Sequence, residues 1–245
     1  IKANRKQLAA VLVEPVQSRC PQVQPEAFIK ELRQVTKEGG IALIFDEMVT
    51  GFRIHQGGAQ AWFGIDADIV TYSKIAGGGL PLSIIAGKST YLNRIDGGRW
   101  NFGDDSSPSV ETTFFAGTYC KHPLSLAAAK ATLTHLKTEG ATLQETLNQK
   151  TAKMVDCLNS DLASQGLMLK FTCFGSFFAL DLSQSVISPL ALTLLSYYLL
   201  SRGIHLRQGD RGGFLSTSHT DNDINLIIQA FKDSINDLQA GGFLE

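Results

Sequence analysis

Two short apolar segments, each followed by a charged residue, constrain the fold of this chain more than any other feature. Ile41–Phe45 and Ile69–Tyr72 are brief and rich in branched or aromatic residues, which is typical of buried strands. Asp46 follows the first segment, and Lys74 follows the second after one serine. If the two strands lie parallel in one sheet, both charged side chains emerge at its carboxyl edge, where open α/β sheets bind their ligands. We therefore predict an α/β fold with a functional site at this edge.

The residues before these two segments extend the same sheet. Leu8–Val13 is a third apolar run and ends at Glu14, and Pro25 opens a segment with helical spacing of apolar residues that ends at Gly39 and Gly40. A strand, a helix and a strand within about 35 residues form a crossover, which implies a mostly parallel sheet. The predicted buried face of the helix consists of Phe28, Leu32 and Val35.

An amine and a carboxylate at one sheet edge suit pyridoxal 5′-phosphate (PLP). This cofactor carries an aldehyde that condenses with a lysine amine, and a pyridine nitrogen that needs an acidic partner if the ring is to act as an electron sink. Lys74 and Asp46 are the candidates for these two roles. On spacing alone, ordinary solvent-exposed charges at two strand ends remain the alternative.

The composition changes near Gly140, and the residues beyond it predict a smaller α+β domain. We place the domain boundary there, with domains 1–139 and 140–245. The elements predicted for the second domain are helices over Leu143–Leu162, from Ser188-Pro189 to Gly203 and from Thr220 onward, and strands at Leu167–Thr172, Ser176–Leu182, Ile204–Arg207 and Phe214–Thr217.

Charge and cysteine content exclude several classes of function. The net charge is −1 without a long basic or acidic run, so neither nucleic acid nor a membrane surface is an expected partner. The 4 cysteines are scattered without metal-ligand spacing or a disulfide framework, so we predict no metal site and a reducing, cytoplasmic location. No GxSxG motif supports a hydrolase.

Five segments, in order along the chain, carry a resemblance to known proteins. They are VLVEPVQS (11–18), DEMVTGFR (46–53), SKIAGGGLP (73–81), FFAGTYCKHPLSLAAA (114–129) and FLSTSHTDNDI (214–224). These segments resemble the class III aminotransferases, which are PLP-dependent transferases of fold type I, and among them the glutamate-1-semialdehyde aminomutases. In addition, GGAQAWFGI, FGDDS and GTYCKHPL are similar to the aminotransferase domains of hybrid polyketide synthase/nonribosomal peptide synthetases of the microcystin and iturin type.

The resemblance implies a role in cofactor binding for several residues. Lys74 would bind the cofactor aldehyde and carry protons during the reaction, Asp46 would pair with the pyridine nitrogen, and Met48 would pack against the ring. Ser73 and the Gly117–Thr118 pair would also contact the cofactor. By the same resemblance, Thr118 would bind the cofactor phosphate of a neighbouring subunit, which implies a homodimer. Without the resemblance, Thr118 lies in an ordinary turn before a helix.

The resemblance also implies a substrate site. Glu14 would lie near the substrate, although a solvated acid at a strand end is the alternative. Arg211 occupies the position of a glutamate in the aminomutases, and arginine prefers carboxylates or phosphates. We therefore expect an aminotransferase with an amino acid donor and a β-ketoacyl thioester acceptor on a carrier protein domain. The alternatives are a glutamate-1-semialdehyde aminomutase and an inactive fragment of such a domain.

The resemblance bears on completeness as well. Class III enzymes are considerably longer than 245 residues. Their amino-terminal part carries a phosphate-binding loop and an aromatic residue that stacks on the cofactor, and neither is present in this sequence. We expect the sequence to be the carboxyl-terminal portion of such an enzyme, with a partial large domain and a small domain. Alone, it is expected to bind PLP weakly and to be inactive.

Overall fold

The structure is a computed structural model and describes residues 1–206 and 211–244. Two compact units account for the chain, one formed by Ile1–Val16 and Gln24–Gly140 and the other by Gln17–Val23 and Ala141–Glu245. The short segment Gln17–Val23 therefore belongs by its contacts to the second unit. The prediction of two continuous domains, 1–139 and 140–245, did not place Gln17–Val23 in the second one.

The first unit has the predicted α/β architecture with a mostly parallel sheet. Its strands lie in the order β1-β2-β3-β4; the first three run parallel and the fourth is antiparallel to β3. The elements of this unit are β1 (Ala10–Val13), α1 (Glu26–Gly39), β2 (Ala42–Asp46), α2 (Gly58–Phe63), β3 (Ile69–Tyr72), β4 (Ile84–Gly87), α3 (Ser89–Asp96) and α4 (Pro123–Glu139).

Strand β2 is buried as predicted. Its side chains Leu43 and Phe45 are both 0% exposed, because the strand is flanked by β1 and β3 and covered by α1. Together with Val70 of β3 they belong to the core cluster of this unit. The buried β2 and the following β3 deliver their last residues to one edge of the sheet.

Helix α1 buries a face that agrees with the prediction only at Leu32. Phe28 is exposed and Val35 is only half-buried, whereas Ile29, Leu32 and Thr36 are the buried residues of the helix. Positions i, i+3 and i+7 lie on one helix face, so the buried stripe contains the residues that follow Phe28 and Val35. Apolar spacing did not reveal it because Thr36 is polar; its hydroxyl is satisfied by donation to the Leu32 carbonyl oxygen at 2.8 Å.

The second unit is a small antiparallel sheet covered by helices, as predicted for an α+β domain. Its strands lie in the order β5-β6-β7, and its elements are α5 (Ala141–Ser164), β5 (Phe171–Phe174), β6 (Phe177–Leu180), α6 (Pro189–Ser201), β7 (Gly212–Phe214) and α7 (Asp221–Ala240). The aromatic residues Phe171, Phe178 and Phe231 anchor its core, which also takes apolar residues from all three helices.

Helix ends in this unit agree with the prediction better than strand ends do. Ser188 caps α6 by accepting a hydrogen bond from Ala191, and Thr220 caps α7 in a reciprocal capping box. The predicted strand Phe214–Thr217 lies earlier, at β7, and residues 204–206 form no strand, which corrects the prediction for Ile204–Arg207. Arg207 itself lies outside the described residues.

The helices of residues 1–206 and 211–244 include none with both the length and the apolar character needed to cross a bilayer.

Candidate functional site

The carboxyl edge of the parallel strands collects the polar residues singled out in the sequence. Val13 pairs with Phe45 and Asp46 pairs with Thr71 in the strand register. Glu14, which follows β1, Asp46, which ends β2, and Ser73–Lys74, which follow β3, therefore lie along one edge in that order. This juxtaposition is the one expected from the sequence.

The Asp46 carboxylate is half-buried and only partly satisfied. Its Oδ1 accepts a hydrogen bond from the Met48 main-chain N–H at 3.0 Å. Its Oδ2 has no hydrogen-bond donor among the residues that the structure describes. One carboxylate oxygen is thus held in place while the other is available to a ligand. The Met48 side chain is half-buried.

The Lys74 side chain is exposed and its ammonium group is unpaired. Within residues 1–206 and 211–244, it makes neither a hydrogen bond nor an ion pair. Lys74 also has φ +48°, in the left-handed region that residues with a Cβ rarely adopt. Such a conformation costs on the order of 1 kcal/mol and is concentrated at functional sites.

The glycines after Lys74 let the chain turn sharply. Gly78 and Gly79 have φ +60° and +88°. A Cβ on Gly78 would lie 2.4 Å from the Thr132 hydroxyl oxygen on α4, so the turn packs directly on that helix. Ser73 closes the other side by donating its hydroxyl to the Leu82 carbonyl oxygen at 2.5 Å. These contacts hold the turn that carries Lys74.

A buried acid next to the site was not singled out in the sequence. Glu47 directly follows Asp46 and is 1% exposed, and its carboxylate accepts hydrogen bonds from Thr50, Ala59 and Gln60. Burial raises the pKa of Glu47, and the three hydrogen bonds oppose that effect. The sequence contains a signal for a buried carboxylate of this kind. Glu47 follows a buried strand and is itself followed by glycines, which can bring main-chain N–H groups close to a carboxylate.

A second buried acid lies at the opposite edge of the sheet. Asp68, just before β3, accepts hydrogen bonds from Leu43 N–H at 2.8 Å, Arg33 at 2.9 Å and Lys88 at 2.6 Å. Burial alone would raise the pKa of Asp68, but these three hydrogen bonds outweigh it and lower the pKa. This group is fully satisfied within the unit, and we assign it a structural role.

Of the remaining predicted site residues, Glu14 lies on the same sheet edge, and the others lie elsewhere in the chain. Gly117 and Thr118 are exposed in a turn just before α4. Glu14 is half-buried after β1. Arg211 belongs to the second unit, where its Nη2 donates to the Arg19 carbonyl oxygen at 2.7 Å. Burial would raise the pKa of Asp181, but hydrogen bonds from Ser183 and Gln184 lower it, with a smaller contribution from the charge of Arg211. The roles suggested for these residues stay predictions.

A family model described as aminotransferase class-III matches residues 1–220 of the chain. The chain belongs to the class III aminotransferases. Enzymes of this family depend on PLP, and a transaminase with PLP bound superposes with a TM-score of 0.83 at 24% identity, covering 98% of this chain and 55% of that one.

Two further proteins show the same similarity. A glutamate-1-semialdehyde 2,1-aminomutase of Alkaliphilus oremlandii (strain OhILAs) is 31% identical over 247 residues, covering 96% of this chain and 54% of that protein. An omega-transaminase from Sphaerobacter thermophilus superposes with a TM-score of 0.84 at 25% identity, covering 98% of this chain and 54% of that one. This aminotransferase chain therefore spans about half the length of the curated relatives it matches.

The residues at the carboxyl edge of this class III aminotransferase fit the cofactor of the family. An exposed lysine amine without a partner suits an aldehyde, and a carboxylate with one oxygen unoccupied by the described residues suits a protonated pyridine nitrogen. The described residues hold no group of three or more His, Cys, Asp or Glu side chains that could bind a metal ion.

Proposed function

We propose that this chain carries the catalytic lysine and the ring-nitrogen acid of a PLP-dependent aminotransferase. The observation that carries the proposal is the carboxyl edge of the sheet, where the unpaired amine of Lys74 follows β3 and the half-satisfied carboxylate of Asp46 ends β2. The family membership of the chain supports this assignment.

The roles of these residues follow from their chemistry. Bound PLP supplies an electron sink for the bonds at the Cα atom of the amino donor. Lys74 would hold the cofactor through its amine and would move a proton at the donor Cα atom as a general acid and base. Asp46 would place a negative charge at the pyridine nitrogen and favour its protonated form. Met48, two residues after Asp46, is assigned to the ring face, with a thioether suited to an aromatic contact.

The cofactor phosphate needs donors. Gly117–Thr118 supply main-chain N–H groups and a hydroxyl before α4. Ser73 adjoins Lys74 and is assigned to the cofactor site, with its hydroxyl already donated to the Leu82 carbonyl oxygen. We assign Thr118 to the phosphate of a neighbouring subunit, so that the working unit is a homodimer with two equivalent sites. Its exposed position is compatible with a contact outside the chain. Mixing Lys74→Ala and Thr118→Ala subunits would then restore one sound site per heterodimer.

The proposed reaction moves an amino group between two carbonyl compounds. An amino acid donor leaves as its keto acid, and a β-ketoacyl thioester on a carrier protein becomes a β-aminoacyl thioester. The support for this acceptor is the resemblance of the chain to aminotransferase domains of polyketide/nonribosomal peptide enzymes and the presence of Arg211, whose guanidinium suits an anionic substrate group. Glu14, at the same edge as Asp46, is assigned to the substrate side of the site.

A second candidate is a glutamate-1-semialdehyde 2,1-aminomutase. The specific observation in its favour is the identity of 31% with the Alkaliphilus enzyme of that name. An aminomutase transfers the amino group within one substrate and needs no separate acceptor. Arg211 at a position where aminomutases carry glutamate is the observation against it.

A two-substrate assay separates these candidates. The protein is expressed with any sequence that flanks these residues in its gene and is loaded with PLP. The proposal expects keto acid release beyond one equivalent per enzyme site only when an amino donor and a β-ketoacyl carrier thioester are both present. Turnover of glutamate-1-semialdehyde without an acceptor would favour the aminomutase. No turnover, together with no borohydride-trapped cofactor on Lys74, would contradict both.

A further inference from the structure

Glu47 is a buried carboxylate that the proposed reaction does not use. It is 1% exposed, and no lysine or arginine forms a salt bridge with it among the described residues. Isolated buried carboxylates are costly, so this one must be compensated by other groups. The compensation comes from donors of the segment that follows it.

Three hydrogen bonds close residues 47–60 around this carboxylate. Ala59 N–H donates to Oε2 at 2.6 Å, Gln60 N–H donates to Oε1 at 3.0 Å, and the Thr50 hydroxyl donates to Oε2 at 3.0 Å. A Cβ on Gly58 would lie 2.2 Å from Oε2, so the main chain passes against the carboxylate with no room for a side chain. Because both oxygens accept from N–H groups, the arrangement suits the ionised form.

The main chain of Glu47 is held as tightly as its side chain. Its N–H donates to the Thr71 carbonyl oxygen of β3 at 3.0 Å, and its own carbonyl oxygen accepts from Gly51 at 2.9 Å. The peptide bond between Glu47 and Met48 therefore has little freedom. The N–H of Met48 is the donor that holds Oδ1 of Asp46.

The segment 47–60 also contacts Tyr72, the last residue of the strand that precedes Lys74. The Gln60 side chain donates to the Tyr72 hydroxyl at 3.3 Å and accepts from Ala67 N–H at 2.9 Å. The Tyr72 ring packs on Phe52 with a centroid distance of 5.1 Å. Burial and then the negative charge of Glu47 raise the pKa of Tyr72, which keeps its phenol neutral. Tyr72 lies two residues before Lys74.

We infer that Glu47 is a positioning residue, which holds the segment 47–60 so that Met48 N–H fixes the direction of the Asp46 carboxylate. The inference deepens the proposed function and rests on it for the meaning of Asp46. Glu47 itself touches neither the Asp46 carboxylate nor Lys74, so it acts through the main chain.

Two variants of buried acids in the same unit test this inference. Glu47→Gln keeps the shape but places an NH₂ group against main-chain N–H donors. Asp68→Asn is the matched control, because Asp68 is also buried, also accepts a main-chain N–H and lies at the opposite edge of the sheet. If Glu47→Gln fails to fold, Thr50→Val replaces it, since this change removes one donor to Glu47 and conserves volume.

The first measurement is amide hydrogen exchange, read by NMR on the protein without cofactor. We expect the Met48 amide to exchange about tenfold faster in Glu47→Gln and to be unchanged in Asp68→Asn relative to neighbouring amides. Retained protection of Met48 in Glu47→Gln overturns the inference. An equal loss in both variants also overturns it, because general destabilisation would then explain the result.

The second measurement is PLP affinity, followed by the absorbance of lysine-bound cofactor at about 410–430 nm. We expect affinity to fall about tenfold in Glu47→Gln, since small misplacements of a catalytic group are costly, and to be unchanged in Asp68→Asn. An unchanged affinity beside an unprotected Met48 amide overturns the inference. If the wild type does not hold PLP on Lys74, the proposed function fails, and amide exchange still decides whether Glu47 positions Asp46.

Discussion

The two edges of the four-stranded sheet each carry an aspartate and a lysine, and they use them differently. At the edge where β3 begins, Asp68 and Lys88 form an ion pair at 2.6 Å, completed by Arg33. At the edge where β3 ends, Asp46 and Lys74 make no ion pair with each other or with other described residues. A pair that satisfies itself stabilises the fold, whereas an unsatisfied pair is available to a ligand. The same residue types thus form an ion pair at one edge and stay unpaired at the other, where we propose a chemical role for them.

The largest expected effect is the difference in turnover between variants of Lys74 and of Lys88. Lys74→Ala should abolish the borohydride-trapped cofactor adduct and lower turnover by about 10²–10⁴-fold, since a general acid and base is lost. Peptide mass spectrometry after borohydride treatment locates the adduct. Lys88→Ala is the matched control and should retain the adduct and the turnover. An adduct found on Lys88 would reverse the assignment of the two edges, and one on Lys121, in the turn before α4, would remove Lys74 from the site.

The two aspartates should also differ in their effect on turnover, by nearly as much as the two lysines. Asp46→Asn keeps the shape but removes the charge proposed for the pyridine nitrogen, and we expect turnover to fall by about 10²–10³-fold, as for other preorganised electrostatic contacts. Single-turnover kinetics with the amino donor would measure the loss. Near-normal turnover of Asp46→Asn would mean that another acid serves the ring nitrogen.

Asp68→Asn should change stability and leave turnover intact. Removing the charge leaves Arg33, which is 16% exposed, without its carboxylate, and we expect a loss on the order of 3 kcal/mol in the free energy of unfolding. Urea unfolding of the two proteins at neutral pH measures the difference. A stability within error of the wild type would show that the pair contributes nothing net.

The stability difference between the wild type and Asp68→Asn should depend on pH. The hydrogen bonds to Asp68 hold its pKa in the folded protein below its ordinary value, so its stabilising contribution is present above that value and is lost as pH falls through the folded pKa. The stability difference between wild type and Asp68→Asn should therefore shrink below about pH 4. A difference that stays constant down to pH 2 would contradict this account of the pair.

The smallest expected effect belongs to the lysine of the structural pair. Lys88 is 55% exposed, so its ion pair is well solvated, and Lys88→Met should cost less than about 1 kcal/mol. Thermal unfolding at two salt concentrations would measure it, since screening should reduce the effect further. A cost equal to that of Asp68→Asn would mean that Lys88, and not Arg33 or Leu43 N–H, is the main partner of the aspartate.

The sequence by itself determined the elements whose signals are local. The apolar runs of β2 and β3, the caps at Ser188 and Thr220, and the glycines after Lys74 all depend on residues within a few positions of each other. Because consecutive parallel strands bring their carboxyl ends to one edge, the neighbourhood of Asp46 and Lys74 also followed from the order of these elements.

Only the tertiary structure decided which polar groups satisfy each other. Asp68 meets partners 35 and 20 positions away in Arg33 and Lys88, and Glu47 meets N–H groups 12 and 13 positions away. The same holds for the buried face of α1 and for Gln17–Val23, which pack according to what lies opposite them. Local patterns report a residue's own helix or strand, whereas burial and pairing depend on neighbours that only the folded chain brings together.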